Sequence, residues 1–323
     1  MRKLAILLLA LVFGPLAANA QQVEIQAGVF GGTLYQLSYA FSELMKGYAP
    51  DIKTTTVETP GSAAGIIKMS ANPEARIAAA TYVTVLEAVK GRPPFKTPYA
   101  DIRILGNFTR NIQTLVTLDA EIQSLDDLSG KRLGLGPKPT VIGKNHWSII
   151  EKGCKDPGSI KTFYMKWGGL KDALMDGSID AMVMGVSTRK SGTWAAVPIF
   201  KEIVAARGNP HFIPIPESAI QKAAAADDIA YPPMMIPKDA IGPGLPSSDT
   251  MAWSEKLALF ANNQFSEDAA YAIVKVLYEH GQEMVKQTPV ARGVWPELVV
   301  DINLPDDMIH PGALKYYKEK GLR

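Results

Sequence analysis

Short β-type runs alternate with segments of helical periodicity in the first third of the chain. Residues 23–29 predict a strand, and the apolar side chains between Leu34 and Met45 then recur at helical spacing. The next two units are a strand at 52–58 with a helix at 63–69, and a strand at 76–80 with a helix at 83–90. Strands that alternate with helices favour an open, mostly parallel sheet covered by helices on both faces.

A second series of the same kind follows residues 114–118. It comprises a short capped helix at 124–129, strands at 131–136, 160–167 and 179–184, and helices at 141–152 and 170–175. Residues 198–246 are rich in proline, which predicts irregular connections and short strands. The C-terminal region differs, because residues 252–264, 267–287 and 311–320 all suit helices.

The N-terminus has the pattern of a secretory signal peptide. Arg2 and Lys3 precede an apolar stretch at 4–17, and Ala18-Asn19-Ala20 forms a small-residue cleavage site. The stretch is shorter than the roughly 20 apolar residues that span a bilayer, so we expect export rather than a retained membrane anchor. Cleavage after Ala20 would place the mature protein in the periplasm.

Removing this signal changes the charge of the protein. The chain of 323 residues has 34 Lys and Arg against 32 Asp and Glu, and the loss of Arg2 and Lys3 cancels that excess. A neutral mature protein argues against nucleic acid as a partner, because that binding depends on clustered basic residues. Hydrophobic residues make up 47% of the chain, which is enough for a folded core. Cys154 is the only cysteine, so no internal disulfide is expected.

A mature chain of about 300 residues usually forms two domains. The two strand–helix series therefore predict an α/β protein with two lobes, in which residues 21–121 with 254–323 form lobe I and residues 122–253 form lobe II. Each lobe is expected to be a mostly parallel sheet flanked by helices. Ligand-binding loops gather at the carboxyl ends of parallel strands, so two such edges that face each other form a ligand cleft between the lobes.

Catalytic and metal-binding signatures are sparse. The four histidines lack metal-ligand spacing and the chain has no G-x-S-x-G motif, so we expect no enzyme activity, no cofactor and no metal. Ser187 to Lys190 matches S-x-x-K, but the K-T-G motif of penicillin-recognising enzymes is absent. A periplasmic hydrolase that uses Ser187 on a two-lobed scaffold is the alternative function.

Glycines and small hydroxyl residues lie where the predicted strands lead into helices. Gly32 and Thr33 follow the first strand, with Tyr35 in the first helical turn, and Gly61 and Ser62 follow the second strand. Backbone N–H groups at a helix start are unpaired and lie at the positive end of the helix dipole, so they bind carboxylates. The other interpretation is that Thr33 and Ser62 are only helix caps.

Further candidates lie at the equivalent ends of other strands. Tyr82 follows the third strand and is either a ring that contacts a ligand or a core residue. The candidates in lobe II are Thr140, at the end of the loop 137–140, and Gly185, Val186 and Ser187. Lys138 and Arg110 are either sources of positive charge for an acidic ligand or solvated surface residues.

Several segments together resemble one family. They are Gly31-Gly32-Thr33-Leu34-Tyr35, Glu58-Thr59-Pro60-Gly61-Ser62, residues 125–132, residues 177–181, and the ending His310-Pro311-Gly312-Ala313-Leu314-Lys315-Tyr316-Tyr317. In this order the chain resembles the TAXI group of solute-binding proteins of TRAP (tripartite ATP-independent periplasmic) transporters. The loop at 136–143 departs from the pattern of that group, so the resemblance does not identify the solute.

The resemblance implies a two-lobed, type II-like periplasmic binding protein that closes over a small solute and delivers it to a TRAP permease. It implies a small organic anion: a dicarboxylate, a 2-oxoacid or an acidic amino acid. The ligand-binding residues that it implies are Gly32, Thr33, Tyr35, Gly61, Ser62, Tyr82, Thr140, Gly185, Val186 and Ser187. We expect a monomer with its hinge near 115–122 and 251–257. A partner that presents its ligand to a membrane sensor is a further alternative.

Overall fold

The computed structural model of the protein describes residues 20–137, 141–188 and 193–323. The predicted export signal therefore lies, up to residue 19, outside the described residues. The first elements are β1 (Gln21–Gln26), α1 (Thr33–Tyr48), β2 (Ile52–Val57), α2 (Ser62–Ala71), β3 (Arg76–Thr81), α3 (Tyr82–Val89) and β4 (Ile102–Thr117). The three strand–helix units predicted from hydrophobic spacing are confirmed, with bounds that differ by up to three residues.

The second series is also confirmed in its order of elements. It consists of β5 (Arg132–Gly134), α4 (Val141–Gly153), β6 (Lys161–Phe163), α5 (Trp167–Asp176) and β7 (Ala181–Thr188). The predicted helix at 124–129 is a single 3-10 turn, Asp126–Leu128. Strands β5 and β6 have only three residues each, so both are shorter than the strands predicted at 131–136 and 160–167.

The proline-rich region contains the short strands that were predicted, but it also contains two helices that were not. Strand β8 (Trp194–Ala196) precedes it, and its elements are α6 (Pro198–Arg207), β9 (His211–Ile213), α7 (Glu217–Asp227) and β10 (Pro233–Ile236). Pro198 lies in the first turn of α6, and Pro216 directly precedes α7. Proline is tolerated at a helix start because the N–H group that it lacks has no intrahelical partner there. These prolines begin helices rather than interrupt them.

Residues 252–264 were predicted to be helical, and this prediction was also wrong. They belong to β11 (Thr250–Asn262), in which every residue except Met251 and Lys256 is buried. A strand that is buried on both faces shows no alternation of apolar and polar residues, so its sequence is easily confused with that of a buried helix. Burial between two neighbouring strands determines this segment and overrides the helix propensity of its Ala, Leu, Glu and Lys residues.

The chain ends in helices that cover one part of the sheet. They are α8 (Glu267–His280), α9 (Pro296–Val299) and α10 (Pro311–Glu319). Helix α8 has a strong start signal, because the Ser266 side chain accepts a hydrogen bond from the Ala269 N–H and two acidic residues follow. The predicted helix at 267–287 continues past His280 only as a 3-10 helix, Gly281–Lys286. None of the helices in the described parts of the chain is long and apolar enough to cross a membrane.

The eleven strands of the described residues form one sheet rather than two separate ones. Its main order is β2-β1-β3-β11-β4-β7-β5-β6, with β8, β9 and β10 paired to β7, β4 and β11. The strands pair in parallel at both ends of this order, as predicted, whereas β4 and β11 are antiparallel to their neighbours. The two long antiparallel strands join two parallel half-sheets.

Strands β4 and β11 pass from one hydrophobic core region into another. Phe108 and Leu259 belong to the core under the first half-sheet, whereas Leu115 and Trp253 belong to a core cluster under the second. We call residues 109–113 of β4 and their cross-strand partners, residues 253–257 of β11, the crossing, because they lie at the boundary between the two regions. Leu115 already lies in the second core, so the crossing in β4 precedes the predicted hinge segment 115–122. In β11 it falls within the predicted segment 251–257.

Candidate functional site

Among the described residues, no strand pairs with one edge of β11 at the crossing, although the Ser254 N–H donates to the Pro232 carbonyl there over 2.8 Å. Strand β3 pairs with β11 as far as Thr81, which lies opposite Leu257, and β10 begins at Pro233, which lies opposite Trp253. The three residues of β11 between these two pairs are Ser254, Glu255 and Lys256. We call this interruption the sheet gap. It lies where the two core regions meet, which is where the predicted cleft between the lobes would have its floor.

The loops after β1, β2 and β3 are hydrogen-bonded to one another at one edge of the first half-sheet. The Gly28 N–H donates to Thr59 Oγ1 over 3.0 Å, and the Thr59 N–H donates to the Gly28 carbonyl over 2.9 Å. The Thr81 N–H donates to Ser62 Oγ over 3.4 Å. These bonds bring together the three loops that carry the candidate residues of lobe I, and Thr81 connects them to the sheet gap.

Helices α1 and α2 begin without side-chain caps. Gly32 and Gly61 occupy the cap positions, Thr33 and Ser62 are already helical, and neither first turn contains an acidic residue. The interpretation of Thr33 and Ser62 as caps is therefore wrong. Gly61 has φ of 150°, which favours glycine, and no atom lies within 4 Å of the position that a Cβ would take among the described residues. The Glu58 carboxylate lies in the loop before α2, and its Oε1 accepts a hydrogen bond from the Phe30 N–H before α1 over 3.0 Å.

The two candidate aromatic residues have different surroundings. The Tyr35 ring lies 5.0 Å from the ring of Phe30, which is 74% exposed in the loop after β1. The Tyr82 ring instead packs against Phe260 at 5.7 Å, and its buried hydroxyl has no hydrogen-bond partner among the described residues. Burial raises the pKa of Tyr82 well above its usual value. Tyr82 thus packs at the margin of the core beside the sheet gap, where its ring lies 5.9 Å from Lys256 Nζ and its hydroxyl is buried.

Two cations share one carboxylate at the crossing. Lys256 Nζ lies 2.9 Å and Arg110 Nη2 lies 2.7 Å from Oδ2 of Asp301, and the two basic residues are direct cross-strand neighbours. Their side chains are 12% and 24% exposed, so Arg110 is not a solvated surface residue. Burial lowers the pKa of Lys256, while Asp301 opposes this shift. The cluster carries a net charge of about +1 when all three groups are ionised.

Glu255 is the most unusual residue of the sheet gap. It is 3% exposed, and its Oε1 accepts a hydrogen bond from Gln113 Nε2 over 2.7 Å. Its Oε2 has no hydrogen-bond partner within the described parts of the chain. Burial raises the pKa of Glu255 from 4.5 to about 7, although the hydrogen bond from Gln113 and the nearby Thr81 side chain work against the shift. Within the described residues, only one of the two oxygens of this buried carboxyl group is thus hydrogen-bonded.

Other buried polar atoms near the crossing lack hydrogen-bond partners among residues 20–137, 141–188 and 193–323. They are Asn107 Oδ1, Thr109 Oγ1, Thr188 Oγ1 and Trp253 Nε1. Most buried polar groups in proteins are hydrogen-bonded, because an unsatisfied group costs roughly 1–3 kcal/mol. A concentration of unsatisfied groups between two core regions is typical of a place that a polar ligand or water occupies.

Three candidates of the predicted lobe II lie within a strand rather than beyond its end, because the strand predicted at 179–184 continues to Thr188. Gly185, Val186 and Ser187 belong to β7 and pair with Gln113, Ile112 and Asn111 of β4. Strand β7 extends to Thr188, which pairs with Trp194 of β8. Val186 is buried in an apolar cluster, so its side chain is unsuited to bind a polar solute.

Some candidates lie outside the described residues, namely Thr140, Lys138 and Lys190. The predicted Ser187–Lys190 pair of the hydrolase alternative therefore has only one described member. Within the described residues no group of three or more His, Cys, Asp and Glu side chains could hold a metal ion.

Glu255, Lys256 and Gln113 were missed from the sequence. Assigning residues 252–264 to a helix hid that Glu255 and Lys256 interrupt a buried strand. The available signal was a polar triplet, Ser254 to Lys256, inside an otherwise apolar run.

Comparisons with known proteins agree on the architecture. The sequence model of the NMT1-like family matches residues 25–321. A solved structure described as a periplasmic transporter superposes with a TM-score of 0.53 at 16% identity and covers 93% of each chain. A TctC solute-binding protein from Polaromonas has a TM-score of 0.47 at 12% identity and covers 83% of this chain and 85% of its own. The mixed α/β sheet with flanking helices is thus the fold of periplasmic binding proteins.

Proposed function

Because this chain belongs to the NMT1-like family, we propose that it is a solute-binding receptor, which captures a small molecule and delivers it to a membrane transporter. The observation that carries the proposal is the sheet gap. Glu255 and Lys256 lie there between two core regions, among buried polar atoms without hydrogen-bond partners in the described residues. A site between two bodies binds its ligand most tightly when they close over it.

We propose that the two bodies are lobe I, residues 21–121 with 254–323, and lobe II, residues 122–253. The separation of the hydrophobic clusters supports this division. The exceptions are informative: Val83 of α3 and Leu115 of β4 belong to lobe I by sequence but pack in a cluster with Trp253. Helix α3 is thus the element of lobe I that stays in contact with lobe II. The crossing is the hinge in this proposal.

A small organic anion is the proposed solute: a dicarboxylate, a 2-oxoacid or an acidic amino acid. Two observations support a negative group in the ligand. The uncapped starts of α1 and α2 present backbone N–H groups at the edge where the loops of lobe I meet. At the crossing, Lys256 and Arg110 carry two positive charges, whereas their shared partner Asp301 carries one negative charge. Both sources of positive potential are local, which fits a protein whose mature chain is neutral overall.

The proposed partner is a TRAP permease, and the proposed form is a monomer in the periplasm. The motifs shared with the TAXI group support this transporter class, in particular the Gly31–Tyr35 and His310–Tyr317 segments. Differential affinity of the solute for the closed form would let the permease distinguish loaded from empty receptor.

A thermal-shift screen of the mature protein, residues 21–323, tests this function. The panel contains dicarboxylates, 2-oxoacids, acidic amino acids and neutral sugars. We expect at least one acid to raise the melting temperature, because a ligand that binds only the folded state stabilises it by mass action. Stabilisation by sugars alone would contradict the anion. Turnover of a tested compound that disappears in Ser187→Ala would contradict a receptor without catalytic activity.

A further inference from the structure

A row of polar residues crosses three neighbouring strands on one face of the sheet. Glu255 of β11 lies opposite Asn111 of β4, and Asn111 lies opposite Ser187 of β7. Residues that lie directly opposite each other in antiparallel strands project on the same face, so these three side chains lie side by side. Asn111 and Ser187 are partly exposed, whereas Glu255 is buried. The row therefore leads from solvent to the carboxyl group at the sheet gap.

Open space adjoins this row at Gly185. Gly185 of β7 lies opposite Gln113 of β4, and both are two residues along their strands from Ser187 and Asn111, so they share the face of the row. Apart from the chain neighbours of Gly185, no atom of the described residues lies within 4 Å of the position that a Cβ would take there. Gln113 Nε2 in turn donates to Glu255 Oε1 over 2.7 Å. Gln113 thus connects the open space to the buried carboxyl group.

We propose that Glu255 is protonated in the solute-bound receptor and that its Oε2–H donates a hydrogen bond to an oxygen of an acidic solute, so that binding takes up one proton from the solvent. This inference rests on the proposed function and gives Glu255 a role in it. The hydrogen bond from Gln113 determines which oxygen carries the proton, because it already occupies Oε1 as an acceptor. Oε2 has no partner within the described residues and is free to donate.

The argument for a proton is that no described cation neutralises an ionised Glu255. Within the described residues no lysine, arginine or histidine forms an ion pair with it, and Lys256 and its cross-strand neighbour Arg110 project on the opposite face of the sheet. Glu87, another buried acid of this fold, has Lys144 Nζ at 2.6 Å. Burial raises the pKa of Glu255 to about 7, and a solute anion beside it would raise the pKa further. Two acidic groups in one buried site therefore share a proton, which supplies the hydrogen-bond donor that the anion needs.

One neighbouring group could imitate this proton uptake. The titratable groups on the elements around this part of β11 include Lys256, Arg110 of β4, Tyr82 and Glu87 of α3, His146 of α4, and Asp227 of α7. Burial lowers the pKa of Lys256, so the loss of its proton as pH rises would also weaken the binding of an anion. The test must therefore separate Glu255 from Lys256, and it is made above pH 7, where histidine is mostly neutral.

Isothermal titration calorimetry in phosphate and in Tris, which differ in ionisation enthalpy, counts the protons that binding takes up. The probes are succinate, 2-oxoglutarate and pyruvate, which stay fully ionised between pH 7 and pH 9. We expect the acid that binds to take up about one proton at pH 8, and its Kd to rise at least tenfold, on the order of one proton's linkage, from pH 7 to pH 9. Glu255→Gln keeps a donor but cannot titrate, so it should bind with almost no proton uptake. Glu151→Gln, an exposed change on α4, should behave like the unmodified protein.

The possible outcomes separate this inference from the function on which it rests. Binding of an acid without proton uptake would overturn the role of Glu255 and leave a receptor for acids intact. Proton uptake that persists in Glu255→Gln would also overturn it. Lys256→Arg, which stays charged throughout, gives an independent check where Glu255→Gln does not fold. Proton uptake retained in Lys256→Arg supports Glu255, and its loss there assigns the proton to Lys256. Failure of all three probes, combined with a negative acid screen, would contradict the proposed function itself.

Discussion

Asp301 sets the net charge on the positive face of the crossing. Its carboxylate is the shared partner of Lys256 and Arg110, and it is 36% exposed, more than either cation. A solute carboxylate therefore competes with Asp301 for the same two cations. In the proposed site, Asp301 weakens the binding of an anion, because its negative charge offsets one of the two positive charges that would attract the solute.

Replacing Asp301 with Asn should strengthen the binding of an acidic solute. The change removes one negative charge beside two cations and keeps the shape of the side chain, so we expect the Kd of an acid found in the screen to fall several-fold. Calorimetry at low salt measures this effect best, since screening weakens it. Asp306→Asn is the matched control, because Asp306 also accepts from two basic residues, Lys318 and Arg323. An unchanged or weaker affinity in Asp301→Asn would exclude these cations from the site.

Glu255 should make the stability of the ligand-free protein depend on pH. Its pKa is raised to about 7 in the fold against 4.5 in the unfolded chain, so the folded state binds the proton more tightly. The contribution of Glu255 to the free energy of unfolding is therefore largest below about pH 4.5 and falls as pH rises through 7. At about 1.4 kcal/mol per pKa unit, the full loss is roughly 3 kcal/mol.

Denaturant unfolding at pH 5 and pH 8 checks this dependence. Other carboxyl groups, such as Asp180 beside Arg132, have a lowered pKa and act in the opposite direction, so the comparison must be made against Glu255→Gln. The unmodified protein should lose more stability than the variant between the two pH values. An identical pH dependence of both proteins would show that Glu255 is solvated in the ligand-free state.

At the residue scale, the sequence singled out the loops of the predicted lobe I and Arg110, but not Gln113, Glu255 and Lys256 at the crossing. Glycines and hydroxyl residues between a strand and a helix, such as Gly61-Ser62, are visible as a local pattern. The significance of Glu255 and Lys256 depends on what lies beside them, namely the end of β3, the start of β10 and the partner Asp301. Those neighbours are between about 20 and 175 positions away in the chain, and no local pattern records them.

Among the elements, α3 has a structural role that its short length conceals. Its Glu87 is 1% exposed and pairs with Lys144 of α4, and the residues after it, Lys90 and Arg92, reach Asp228 just beyond α7. These contacts join lobe I to lobe II as the lobes are proposed above. The two sets differ in burial, since the side chain of Asp228 is 74% exposed.

Lys144→Met should therefore destabilise the protein more than the loss of a surface ion pair does. It leaves the buried Glu87 carboxyl without its cation, and because Lys144 itself is about half exposed, we expect a loss of roughly 1–3 kcal/mol in the free energy of unfolding. Lys152→Met on the same helix breaks only an exposed pair and should change stability by less than about 0.5 kcal/mol. Urea denaturation compares the variants. Equal effects would mean that Glu87 is accessible to water.

The elements that were predicted correctly from the sequence are mostly those with only one buried face. Strands and helices of the parallel half-sheets were found because each has one apolar face or a short apolar run with clear turns at both ends. Strand β11 was mistaken for a helix because it is buried on both faces and rich in helix-forming residues. Its identity is fixed by β3 and β4 on either side, which is information from tertiary structure.

At the scale of the whole molecule, the two long strands connect the two core regions and cross the boundary between them. Strands β4 and β11 keep one hydrogen-bonded sheet across two core regions. The apolar clusters divide at the crossing, and polar side chains such as Glu255 and Thr109 occupy the division. Polar groups at this boundary would lack partners if the two core regions packed directly against each other. A polar solute can supply those partners, which is the arrangement that a receptor requires.

Native mass spectrometry tests directly whether one small acidic molecule binds at the sheet gap, as we propose. The mature protein is measured as purified and after incubation with an acid that stabilises it. We expect one bound molecule per chain, and we expect Lys256→Ala to lose it. The control Lys275→Ala, which removes an exposed lysine on α8, should retain it. A bound molecule retained equally by both variants would contradict a site at the gap. A protein that binds no member of the acid panel would contradict the claim as a whole.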